Sequence, residues 1–171
     1  MSHNHLDIHK ILKHWRESVP EDRLAHLVRD VARAQMRALQ RRLTPYEVSF
    51  GHWTFLRILW TQDGLTQKEL SDLSGVMEPT TFSAVKAMEL LGFIERRQLP
   101  GNRKNIHVFL TPLGKSLKRK LVPLAEEVNA ISLQGLSDKN VSLLRTCLLS
   151  IIENLATDEE ESVTDAISDA P

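Results

Sequence analysis

Two helix starts separated by one glycine-containing turn constrain this chain more than any other feature. Thr66, Gln67, Lys68 and Glu69 form a capping box, in which a hydroxyl and a carboxylate three residues apart satisfy each other's backbone donors. It opens a short helix with Leu70 and Leu73 inward. Ser74, Gly75 and Val76 make the turn, and Glu78 with Pro79 starts a second helix running to about Leu91, before Gly92. Two short helices joined this way are a helix-turn-helix. Residues 93–97 and 106–110 then alternate apolar and polar side chains around a Pro-Gly loop, the pattern of a β-hairpin. The expected fold is mainly α with one small hairpin wing: a winged helix-turn-helix with flanking helices.

The flanks are helical. Ser18, Pro20 and Glu21 predict a cap for a helix to about Arg42, with Leu24, Leu27, Val28, Val31 and Leu39 on its apolar stripe. Pro45 breaks it. The next helix is apolar almost all round (Trp53, Phe55, Leu56, Ile58, Leu59, Trp60) and belongs in the core. Thr111 and Pro112 open a fifth helix, which Pro123 is expected to kink, and Ser137 opens a last one with Val141, Leu144, Leu148, Ile151 and Leu155 as its stripe. The resulting division is a polar, His-containing extension over 1–19, a domain over 20–156 and an acidic disordered tail over 157–171. Within the domain, 49–111 form the winged helix-turn-helix and 20–43 with 112–156 the dimerisation helices. A small wing domain cannot cover three leucine-rich stripes, so a twofold homodimer is expected, the alternative being an intrachain bundle.

Charge narrows the function. The 22 Lys and Arg equal the 22 Asp and Glu, yet six acids and no base lie in the last fourteen residues. Residues 1–157 therefore carry 22 bases against 16 acids, a net of +6, and nine bases face two acids between Lys86 and Lys120. A basic middle of this kind suits duplex DNA. No apolar run approaches the ~20 residues that span a bilayer, so no membrane association is expected. One cysteine, Cys147, permits no intramolecular disulfide, and a cytoplasmic home is the expectation.

On a helical wheel Thr81, Ala84, Val85, Met88 and Leu91 fall on the buried side of the second helix, and Pro79, Phe82, Ser83, Lys86 and Leu90 face outward or flank. Thr80 sits at the helix start, where its hydroxyl and free backbone N–H groups suit phosphate. Phe82 either meets a thymine methyl or packs on its own wing. Expected DNA contacts are Thr66, Gln67, Thr80, Thr81, Phe82, Ser83, Lys86, Arg96, Arg97, Arg103 and Lys104.

At these residues the chain resembles the MarR (multiple antibiotic resistance regulator) family. The resemblance runs over roughly 20–156 and rests on Leu65 to Leu70, Met88 to Arg96, the loop Pro100 to Lys104 and the close Val108 to Gly114. It implies a homodimeric winged-helix repressor of transcription, released from a DNA operator by a small, often aromatic, ligand. The wing departs from the family's Asp-x-Arg: Asn102 takes the acid's place and Lys104 the arginine's, with Arg103 between. Lys lacks the planar fork of Arg, so Arg103 is expected in the minor groove and Lys104 on phosphate. A dimer implies a palindromic operator.

The resemblance also implies an effector pocket between the first, second and fifth helices. Candidate ligand contacts there are Tyr46, Ser49, His52 and Trp53, with Arg29 or Arg33 to hold a carboxylate. No cofactor or metal is expected: His3, His5, His9 and His14 lack a partner Cys or carboxylate cluster at set spacing. No catalytic constellation exists, so an enzyme is excluded, and Ser83 with Lys86 matches S-x-x-K without companion motifs. Cys147, between Leu144 and Leu148, is expected to be a buried structural thiol. The alternative reading is a winged-helix protein–protein adaptor without sequence-specific DNA binding; basic Arg103 and Lys104 argue against it.

Overall fold

Helix α1 (Leu24–Leu43) ends in a short 3-10 turn (Thr44–Tyr46) where Pro45 denies the helix a donor. The computed structural model describes residues 24–99 and 102–168, with side chains described at 24–99 and 105–161. The expected cap at Ser18 and Glu21, the polar extension over 1–19 and the N-terminal histidines lie outside the described residues. Gln40 fastens the corner after α1: its Oε1 accepts from the Phe50 N–H (2.6 Å), and its Nε2 donates to the Val48 carbonyl (3.3 Å). Helix α2 (Phe50–Leu59) starts at Ser49, whose hydroxyl accepts from the His52 N–H while the Ser49 N–H donates to His52 Nδ1. Trp53, Phe55, Leu56 and Leu59 of α2 are buried, which makes it the core helix its composition predicted.

Strand β1 (Leu65–Thr66) leads into α3 (Gln67–Ser74), and α4 (Glu78–Leu90) follows the turn at Gly75, whose φ of 65° is left-handed. The wing is β2 (Ile94–Leu99) and β3 (Asn102–Leu110). It is one strand larger than expected: β1 pairs antiparallel with β3, Leu65 opposite Val108, giving the order β1-β3-β2. Two residues carry no alternation to read, which is why β1 escapes a sequence pattern. Asp63 secures that junction, its carboxylate accepting from the Leu110 N–H (2.8 Å).

Helix α5 (Pro112–Ser132) continues through Pro123. Its start is seated tightly on the wing: the Thr111 hydroxyl donates to the Gly92 carbonyl (2.6 Å) and Trp60 Nε1 donates to the Gly114 carbonyl (2.9 Å). Leu117, Leu121 and Val128 of α5 join the core of α1, α2 and α4.

The chain divides into two compact units, residues 1–129 and 130–171. In the second, Gly135 turns with φ 83° into α6 (Asp138–Ser168), capped by the Ser137 hydroxyl. The helix runs on through the acidic segment expected to be a disordered tail from 157. Residues 157–168 contain no Gly or Pro, and Ala and Glu favour helix. None of the described α6 side chains is buried. Leu144, Leu148 and Leu155 of its stripe are exposed, and Cys147 is exposed rather than buried.

Candidate nucleic-acid interface and adjoining cavity

The two helices of the reading head are locked by their own polar groups. The Thr66 N–H and hydroxyl both donate to Glu69 Oε2 (2.7 Å each), and the hydroxyl accepts from the Glu69 N–H. These bonds hold the Glu69 carboxyl below its ordinary range, the backbone N–H of Thr66 contributing most. The Thr66 hydroxyl is thus committed to the cap. In the turn, Ser71 and Thr81 both donate to the Val76 carbonyl. Thr81 is fully buried, which corrects its place among the expected DNA contacts: its hydroxyl ties α4 to the turn.

What α4 presents outward is Glu78, Pro79, Thr80, Phe82, Ser83 and Lys86, with Leu90 exposed at its far end. The Thr80 N–H already donates to the Met77 carbonyl (3.0 Å), so its hydroxyl alone is free of the helix start. The Ser83 hydroxyl donates back to the Pro79 carbonyl. Lys86 has no ion pair among the described residues and is the cation of this face. Phe82, 49% exposed, lines a cleft of about 280 Å³ with Gln67, Glu78 and Pro79.

The wing arginines divide. Arg96 donates to Glu89 through Nε (2.9 Å) and Nη2 (2.6 Å), and its N–H reaches the other carboxylate oxygen. The hydrogen bonds from Arg96 hold Glu89 below the usual carboxylate range, and those to Glu89 raise Arg96. Arg96 therefore braces the wing against α4 rather than offering a free guanidinium to DNA. Arg97 is exposed, 4.2 Å over the Phe109 ring, and 3.2 Å from Glu95. Arg103 and Lys104 lie on the first residues of β3, and their side chains are outside the described set.

A second feature is a cavity of about 530 Å³ between α1, α2 and α5. Of the six expected ligand contacts only Trp53 lines it. Arg29 is paired with its neighbour Asp30, Arg33 is exposed and does not line it, and Tyr46 lies under Lys120. Ser49 and His52 cap α2, and burial pushes the His52 imidazole below its usual range. The walls are instead Met36, Leu39, Phe50, Trp53 and Val122, with Gln35, Arg57, Glu126 and Asn129 as polar members. The spacing Phe50, Trp53, Arg57 (i, i+3, i+7) was the legible signal for that helix face. Among the described residues no three His, Cys, Asp or Glu converge as a metal site, and no helix is long and apolar enough to cross a membrane.

Comparison with known proteins agrees with this architecture. Residues 48–106 match the MarR family model. The HTH-type transcriptional regulator TtmR of Methylorubrum extorquens is 24% identical over 141 residues, 82% of this chain and 68% of that protein. A MarR transcriptional regulator from Methanosarcina mazei superposes with TM-score 0.73 at 23% identity, over 85% of this chain and 98% of that one. A putative MarR family regulator from Listeria monocytogenes, complexed with 26mer DNA, superposes with TM-score 0.72 at 25% identity, over 80% and 91%. With the helix-turn-helix, the three-stranded wing and the flanking helices in this order, the chain carries a MarR-type winged helix-turn-helix over residues 48–106 and is similar in sequence to HTH-type transcriptional regulators.

Proposed function

We propose that this regulator is a cytoplasmic homodimer that represses transcription from a palindromic operator and is released by a small aromatic carboxylate. The observation that carries the ligand is the cavity between α1, α2 and α5. Its ~530 Å³ falls within the size of small-molecule sites. Phe50 and Trp53 offer aromatic faces, and Arg57, with no ion pair among the described residues, supplies the cation for a carboxylate. Arg57 takes the role that Arg29 or Arg33 was expected to play.

The dimer is supported by apolar surface that one chain leaves uncovered. Leu143, Leu144, Leu148, Leu149, Ile152 and Leu155 of α6 are all exposed, as are Leu24, Leu27, Val28 and Val31 of α1. Among its described residues this helix has no buried side chain, and a second copy is the simplest cover for the exposed stripe. A twofold dimer would present two copies of α4 to successive major grooves, hence the palindrome. Thr80, Phe82, Ser83 and Lys86, flanked by Gln67, Arg97, Arg103 and Lys104, would make the contacts.

The test is a thermal-shift screen of aromatic carboxylates against wild type and Arg57→Ala. A ligand that binds only the native state raises the melting temperature. The expected result is a shift in wild type that Arg57→Ala loses, with the same compounds releasing bound duplex. A shift of equal size in Arg57→Ala would refute the carboxylate anchor. Compounds that bind without releasing duplex would refute ligand-controlled repression.

A further inference from the structure

Glu78 is an unusual residue for a surface that must approach phosphates. It lies in the first turn of α4, fully on the outward face, and pairs with no base among the described residues. It shares a cleft with Gln67, Pro79 and Phe82. Gln67 is the first residue of α3, and its Nε2 is buried and without a hydrogen-bond partner among the described residues. The cleft thus combines a carboxylate that only accepts, an amide N–H that lacks an acceptor, and an aromatic face.

We propose that this cleft receives the major-groove edge of one C·G base pair, the cytosine amine donating to Glu78 and Gln67 Nε2 donating to the guanine. The proposal rests on the DNA-reading function above and specifies what that function reads. A phosphate is a poor occupant, because the Glu78 carboxylate repels it. In the major groove the donors are the cytosine N4 and adenine N6 amines. Adenine carries its N7 acceptor beside N6, so a carboxylate there would meet a lone pair as well as a donor. Cytosine offers N4 alone, and its partner guanine offers O6 and N7 to an amide donor. A buried amide without an acceptor is unfavourable. The rotamer change that brings it onto guanine is of a kind common at interfaces and gives it one. Phe82, on the rim, then lies against the neighbouring step, where a thymine methyl completes the contact.

A carboxylate in the first turn also complements the helix dipole, so the test needs a readout that a stabilising role does not move. Selection from a randomised duplex library with the full-length chain provides it, run in parallel for wild type, Glu78→Gln and Gln67→Ala. Wild type is expected to enrich a C·G pair at one fixed position in each half-site. Glu78→Gln should move that position alone from cytosine toward adenine, since a Gln amide pairs with adenine N6 and N7, with a change in preference of about tenfold. Gln67→Ala should weaken the same position and leave the others. An unchanged consensus in Glu78→Gln, with or without a uniform rise in affinity, would overturn the proposal and leave Glu78 an electrostatic residue only. A wild-type consensus without a C·G pair would overturn it while leaving the DNA-reading function standing. No consensus in wild type would remove that function and the proposal together.

Discussion

Replacing Gly114 by Ala tests whether the reading head is seated as described. A Cβ added there would overlap the Phe93 carbonyl oxygen and lie 3.0 Å from that carbonyl carbon and 3.1 Å from Leu110 Cδ2. The obstacle is backbone, so no side-chain rotation relieves it, and α5 must lift from the start of β2. Overpacking of this kind costs about 1–3 kcal/mol, with the upper end apt for a backbone clash. Lifting α5 also weakens the bond from Trp60 Nε1 to the Gly114 carbonyl, about 1 kcal/mol. The better helix propensity of Ala returns about 1 kcal/mol. The net loss is about 3 kcal/mol, which for a chain of this length lowers the melting temperature by about 6–12 °C. Gly51→Ala is the internal control: its Cβ meets only Ser49 Oγ at 3.7 Å, on an exposed face of α2. It should raise stability by about 0.5–1 kcal/mol. Thermal unfolding by circular dichroism measures both. If the two substitutions shift the melting temperature in the same direction, the close approach of α5 to the wing is wrong.

Two further outcomes follow from named contacts. Leu148→Glu places a charge on the apolar stripe of α6, where Leu148 is 38% exposed in the single chain. Light scattering should then report a folded monomer that no longer binds duplex, whereas an intact dimer would move the subunit contact elsewhere. Glu89, whose folded carboxyl is depressed by Arg96, contributes stability above the unfolded carboxylate value of about 4.3 and loses it as pH falls through the lower folded value. Glu89→Gln should therefore melt below wild type at neutral pH, with the gap closing as pH drops from about 5 toward 2; a gap constant with pH would mean that the Arg96 brace carries no charge-dependent stability.

The parts of this molecule legible in sequence are those written in local chemistry. The capping box at Thr66 and Glu69, the stop at Gly92 and the wheel position of Thr81 each depend on residues within a turn of one another. Thr81 shows the limit of listing by motif, since the same wheel that buries it had to overrule its place in a DNA-contact run. Arg96 was illegible for the opposite reason. Its partner Glu89 is seven residues away across a helix-to-strand turn, and no periodicity announces that contact. The acidic end of α6 reads as a tail because no apolar periodicity survives from Thr157 onward, although nothing in 157–168 breaks a helix. Arg57 was within reach of the sequence, one helical turn beyond Trp53. The sequence alone does not separate it from the α1 arginines, because a cation's direction on an amphipathic helix is settled only by what packs beside it.

The central claim is that α4 and the wing engage duplex DNA through charge as well as shape, and the salt dependence of binding tests it most directly. On the proposed reading, Lys86 and the wing bases Arg103 and Lys104 would provide at least two phosphate contacts per subunit. In a dimer that gives a slope of log affinity against log salt of about −3.6 and a loss of roughly a hundredfold between about 50 and 200 mM. Fluorescence anisotropy of a labelled duplex, titrated with the full-length chain across that range, reads the slope. A steep linear fall supports the account. A flat line, or no binding at the lowest salt, would contradict it.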